Sequence, residues 1–305
     1  MKETRAALGV ALLVSVGGVW LGAQAQEKPF DNSQGRATFR SSSRIVNVYA
    51  TVQGRDGRLV PDLTRDEFHV FEDGQERQLE VFDNTPQAIT VAVMFDMSNS
   101  MAGQLTKIRQ SAGALIKALA PGDRARIGTF GSEVAISPLL TGDKDVLQRI
   151  LDEELWPGGP TPLWYATDQA MTTLDEETGR RVVLLFTDGD DSRMFVPASK
   201  QSASRHAERG GFMVYVVGLP RRKLSDQVRT LANDTGGGHF IVRNEDDLAA
   251  TFTRVVEELH QQYVLGFSSD LADGQSHTIE VKTTRPGAKV RARKSYIGVA
   301  EGAIQ

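Results

Sequence analysis

The sequence contains no cysteine among its 305 residues, which excludes a disulfide framework and a lipid-bearing cysteine. Its five histidines, His69, His206, His239, His260 and His277, fall at no metal-ligand spacing, so a zinc centre is not expected. Aromatic residues make up only 7%, against 40% hydrophobic residues overall, enough for one large core or two moderate ones and too apolar for disorder. The formal charge of -4 gives no electrostatic reason to expect nucleic acid binding.

What is present begins with a targeting pattern. Lys2 and Arg5 are followed by the apolar run Ala6–Leu21, which is short for a membrane span, and by Ala23-Gln24-Ala25, which has the small residues of a cleavage site. A signal peptide over residues 1–25 is therefore expected. The mature chain would start near Gln26, one unit more acidic because Lys2, Glu3 and Arg5 leave together. It would have no stable membrane span, and its destination would be the periplasm, the cell surface or the medium of a bacterium.

The most specific chemistry lies at the end of the apolar run ITVAVMF, where Asp96, Ser98 and Ser100 form a D-x-S-x-S loop. One carboxylate and two hydroxyls at alternate positions offer oxygen donors to a single point, as a hard divalent cation requires. Two later segments supply further oxygens. Thr161 sits in the loop GGPTP ahead of a helical pattern, and Asp188 ends a second apolar run, RVVLLFTD. The candidate metal ligands are thus Asp96, Ser98, Ser100, Thr161 and Asp188, and Mg²⁺ is the expected ion, with Mn²⁺ or Ca²⁺ as substitutes.

Hydrophobic periodicity divides the chain into a flexible leader (26–43), a β-rich segment (44–86), an α/β segment (87–260) and a second β-rich segment (261–298). In the middle segment, strand patterns over 88–95, 126–130, 182–187, 212–217 and 239–242 alternate with helical patterns over 105–119, 144–155, 163–174, 198–209, 224–232 and 246–260. Such alternation predicts a doubly wound, mainly parallel sheet covered on both faces, with ligands beyond the carboxyl ends of its strands. In that order the strands of Asp96 and Asp188 would be neighbours. Each β-rich flank has too few strands for its own core, so the two are expected to pair.

The ligand set and its chain order resemble the von Willebrand factor type A (VWA) family. There an aspartate and two serines, then a threonine, then an aspartate form a metal-ion-dependent adhesion site (MIDAS), here mapping onto Asp96, Ser98, Ser100, Thr161 and Asp188. Met97 stands where that family often has valine. The flanks VNVYATVQGRDGRLVPDLTRDEFHVFEDGQERQLEVF, QQYVLGF and RPGAKVRARKSYIG are similar to the bacterial VWFA-related family of Acidobacterial type. That resemblance implies an Ig-like sandwich built from both ends of the chain around a Rossmann-like VWA domain. It also implies a protein partner whose Asp or Glu carboxylate completes the coordination of the ion.

The expected function is a non-enzymatic, exported adhesion module. A Mg²⁺-dependent hydrolase is the alternative from another class, but no His or Glu stands within the three loops to act as a base. A structural subunit with a purely stabilising ion is a third. Other features receive plainer readings. The basic run Lys289, Arg291, Arg293 and Lys294 is expected to be one solvated face of a single strand over 289–296, and Asp190 and Asp191 a solvated turn. Trp164 and Tyr165 are read equally as a partner-contacting rim or as the packed start of a helix.

Overall fold

The computed structural model describes residues 44–153, 158–189, 191–192, 198–218, 224–244 and 247–299. The expected signal peptide and leader, Trp156 and Asp190 lie outside the described residues. Four strands come first, β1 (Arg44–Gln53), β2 (Phe68–Glu72), β3 (Gln75–Arg77) and β4 (Val81–Asp83).

The central α/β part follows. Its strands are β5 (Ile89–Asp96), β6 (Arg124–Phe130), β7 (Val134–Ile136), β8 (Arg180–Thr187), β9 (Met213–Gly218) and β10 (His239–Ile241). Its helices are α1 (Leu105–Ala118), α2 (Lys144–Glu153), α3 (Leu163–Thr172), α4 (Lys200–Gly210), α5 (Asp226–Asp234) and α6 (Leu248–His260). The chain ends through β11 (Tyr263–Ser269), β12 (Ser276–Thr283), β13 (Lys289–Arg291) and β14 (Ser295–Ile297).

The central sheet has the order β10-β9-β8-β5-β6-β7, parallel throughout except for the hairpin partner β7. Its inner strands are apolar at almost every position because both faces are covered. Alternate residues serve opposite cores. Ile89, Val91, Val93 and Phe95 of β5, with Val182, Leu184 and Phe186 of β8, pack against residues of α1, α2 and α6. Ala92, Met94, Val183 and Leu185 pack on the other face, with residues of α3, α4 and α5.

The flanks form two four-stranded antiparallel sheets, β13-β1-β11-β4 and β14-β12-β2-β3. One core joins them. Val46, Val48, Ala50 and Val52 of β1 meet Val70 of β2, Leu265 and Phe267 of β11 and Ile279 of β12, the alternating inward pattern of a sandwich. Both sheets mix strands from the two ends of the chain, as β1 with β11 and β2 with β12.

Two sequence readings are corrected here. The run 289–296 is not one strand: β13 pairs with β1 in one sheet and β14 with β12 in the other, so the chain changes sheets between them. Nor are its arginines a solvated face. Arg291 forms an ion pair with the nearly buried Glu258 of α6, and Arg293 donates from Nη2 to the Asn47 carbonyl at 2.6 Å. At the crossing, Thr235 and Arg293 form an isolated β-bridge, and Lys294 N–H donates to the Asp234 carbonyl at 2.9 Å. Segment 292–294 is thereby tied to the end of α5. The short strand β3 has no sequence counterpart, because its QER lacks the apolar alternation that marks a strand.

Candidate metal centre

Strands β5 and β8 lie side by side in parallel, with Phe95 opposite Phe186. One residue further along, Asp96 and Thr187 reach the carboxyl edge of the sheet, followed by Ser98 on one strand and Asp188 on the other. The chain leaves β5 towards β6 on one side, while β8 lies on the other, so this edge is the switch point where open α/β sheets hold ligands.

Asp96 is fully buried and Asp188 is 4% exposed. The Asp96 carboxylate accepts from the Ser98 N–H at 2.9 Å and from the Thr187 hydroxyl at 2.6 Å. Burial pushes its carboxyl above the ordinary carboxylate range and the nearby Asp188 charge adds to this, against the hydrogen bonds from Ser98 and Thr187. Ser98 and Ser100 share a hydrogen bond of 3.0 Å between their hydroxyls, Ser98 being buried and Ser100 exposed.

Backbone contacts bring in the Thr161 loop. Gly158 N–H donates to the Met97 carbonyl at 2.7 Å, and Gly159 exchanges two hydrogen bonds with Asn99. The close approach needs glycine: Gly159 has φ +89°, and a Cβ there would stand 2.2 Å from Ser132 Oγ. On the far side of Thr161, its carbonyl accepts from the Ser192 N–H at 2.9 Å, which ties the loop to the segment after Asp188. All five sequence-selected residues therefore lie on three loops that are hydrogen-bonded to one another.

Sequence reasoning missed three contributors. Thr187 is a strand residue by pattern, yet its hydroxyl donates to Asp96 and accepts from the Gly189 N–H at 3.0 Å. Asn99 is the clasp between two loops. Asp191 is not part of a solvated turn: it is partly buried and its Oδ1 accepts from the Trp164 N–H at 3.3 Å, at the open N-terminus of α3. Trp164 is itself buried in the core under α3, which decides for packing over a partner-contacting rim at that residue.

The donor set, two carboxylates and three hydroxyls, is hard oxygen throughout and suits Mg²⁺ or Mn²⁺. Among the described residues, no group of three or more His, Cys, Asp or Glu is placed to hold a metal ion. Two neighbouring buried carboxylates served by hydroxyls nevertheless fit a cation, which would offset the charge that burial makes costly.

The family model of the von Willebrand factor type A domain matches residues 90–262. The chain belongs to the von Willebrand factor type A family. Among solved structures, the von Willebrand factor type A protein from Catenulispora acidiphila is similar at 12% identity and a TM-score of 0.52, over 85% of this chain and 75% of that one. That likeness supports the fold across both the VWA domain and the flanking sheets. Proximal thread matrix protein 1 from the mussel byssus matches at 15% identity and a TM-score of 0.48, over 58% of this chain and 49% of its own length. An aerotolerance-related membrane protein from Bacteroides fragilis matches at 17% identity and a TM-score of 0.46, over 56% of this chain and all of its own. No curated protein matches the sequence significantly. VWA domains commonly act as protein-interaction modules, and that coarse role applies here.

Proposed function

We propose that this VWA protein is an exported binding module. A divalent cation, Mg²⁺ or Mn²⁺, is held at Asp96, Ser98, Ser100, Thr161 and Asp188, and a partner protein is bound through an Asp or Glu carboxylate. The observation that carries this reading is the buried Asp96 carboxylate at the tip of β5, held by Ser98 and Thr187, with Asp188 beside it on the adjoining strand. Serine and threonine hydroxyls carry no charge, so the five residues supply only two negative charges. A bound divalent ion would keep its attraction for a further anionic ligand.

Export is part of the proposal and is supported by the basic, apolar and small-residue order of residues 1–25. Among the described residues, no helix is long and apolar enough to cross a membrane.

The test is affinity capture from the producing cell's envelope and medium, in Mg²⁺ and in EDTA, with folded Asp96→Ala as the control. A protein held only by the wild type in the presence of metal supports the reading and supplies the partner. Retention of the same proteins by both forms, with or without metal, overturns it.

A further inference from the structure

Away from the metal centre, a cavity of about 160 Å³ lies where the sandwich meets the VWA domain. Three arginines from distant parts of the sequence line it: Arg44 at the start of β1, Arg209 in the last turn of α4, and Arg293 at the crossing between β13 and β14. Glu208 is the one carboxylate among its lining residues, and it already accepts a hydrogen bond from the Ser276 hydroxyl.

These cations are poorly compensated. Arg293 is fixed by its bridge to Thr235, by its bond to the Asn47 carbonyl and by the Tyr296 ring, 5.9 Å from the guanidinium carbon to the ring centroid. Its Nε is nevertheless buried with no hydrogen-bond partner. Among the described residues, the side chains of Arg44 and Arg209 form no hydrogen bond or ion pair. Burial, with the positive charge of Arg44 second, pushes the Arg293 guanidinium down to about 10. Clustered cations with an unused buried donor are costly without a counter-charge.

We propose that this junction cavity binds a tetrahedral oxyanion, phosphate or sulfate, between Arg44, Arg209 and Arg293. The forked, planar guanidinium suits such oxygens, and three cations against one engaged carboxylate leave the double positive charge that a dianion balances. The site is independent of the metal centre. Because its arginines come from β1, α4 and the β13–β14 crossing, an anion there would join sandwich and VWA domain through its own oxygens.

The test is calorimetric titration of the full chain with inorganic phosphate and, separately, sodium sulfate. EDTA is present throughout, ionic strength is matched, and sodium chloride serves as the reference. Saturable binding of either ion is expected, and the two titrations tell which is preferred. Arg44→Gln and Arg209→Gln should each weaken it about tenfold, as expected for loss of a charge-assisted hydrogen bond. Arg209 is exposed and Arg44 only partly buried, so the double variant should fold, and an unchanged melting temperature without added anion checks this. Asp96→Ala should bind the ion as the wild type does. Heats no larger than those of chloride, or equal binding by the folded double variant, would overturn the proposal.

Discussion

Asn99 and Gly159 exchange two hydrogen bonds, the Asn99 N–H donating to the Gly159 carbonyl and the Asn99 Oδ1 accepting from the Gly159 N–H, each at 3.1 Å. This reciprocal pair sets the distance between the loop of Ser98 and Ser100 and the loop of Thr161. Asn99→Ala removes the side-chain half of it. The expected loss is about 1 kcal/mol, or roughly fivefold in Mg²⁺ affinity, with little change in melting temperature. Asn99→Asp, which keeps the acceptor, should bind Mg²⁺ at least as well as Asn99→Ala. Calorimetric titration with Mg²⁺ reads both, and unchanged affinity in Asn99→Ala would remove the clasp from the account of the site.

Asp96 separates metal binding from fold. In EDTA, Asp96→Asn should melt no lower than the wild type, because a neutral amide relieves the buried charge beside Asp188 and still pairs with Ser98 and Thr187. In Mg²⁺ the order should reverse. Only the wild type gains stability from the ion, by about 2.7 kcal/mol at a hundredfold excess over the dissociation constant. Thermal melts with and without metal check this, and an Mg²⁺-induced rise that survives in Asp96→Asn would place the ion elsewhere.

The sandwich holds the last helix of the VWA domain through a buried polar cluster. Glu258 of α6 accepts from the Tyr215 hydroxyl at 2.8 Å and pairs with Arg291 of β13, while Gln262 Nε2 donates to Tyr215 at 3.1 Å and to Thr51 at 3.0 Å. Arg291→Met leaves the nearly buried Glu258 without its cation and should cost about 3 kcal/mol in urea unfolding. The double variant Arg291→Met with Glu258→Gln should recover part of that loss. If the double variant is as unstable as the sum of the single ones, the pair is not coupled.

His277 links two turns of the sandwich, with Nδ1 2.8 Å from Asp73 and Nε2 2.9 Å from Asp273. Hydrogen bonds to Asp273 and then Asp73 raise the imidazole above its ordinary 6.5. Hydrogen bonding lowers both carboxyls from their ordinary 3.8, led by His277 for Asp73 and by the Gln275 N–H for Asp273. A raised histidine contributes its stability in full below 6.5 and loses it as pH climbs through the higher folded value. The lowered aspartates contribute theirs above 3.8 and lose it as pH falls through their folded values. The cluster should therefore stabilise the sandwich most between about 4 and 6.5. His277→Gln should flatten the pH profile of the melting temperature across that window, and an unaltered profile would show that the cluster carries no linkage.

Much of this was legible because it depends on local pattern. The apolar run before Asp96 and the one before Asp188 are the two inner strands, and the alternation of strands and helices gives the doubly wound order that puts them side by side. The antiparallel pairing of the flanks followed from the shortage of strands in each. Legibility ended where contacts join distant residues. Nothing near Arg291 marks Glu258 as its partner, so KVRARK reads as an exposed alternating strand until α6 is placed against it. Thr187 reads as an ordinary β-branched strand residue, and only the parallel register beside β5 aims its hydroxyl at Asp96. Asp191 reads as a turn acid, because its partner, the Trp164 N–H, lies at the head of a helix earlier in the chain.

The sandwich is stitched from both ends of the polypeptide, and this governs the order in which it can form. Strand β1 pairs with β11 and β13, and β2 pairs with β12, so their long-range partners begin at Tyr263. As the chain emerges from its N-terminus, the VWA domain has its whole sheet available before the sandwich has more than its first four strands. Those strands must wait with open edges, exposed to wrong pairing. The protein then closes like a clasp around a domain that has already folded, and a chain that stops short of β11 would carry a complete metal centre and a frayed collar.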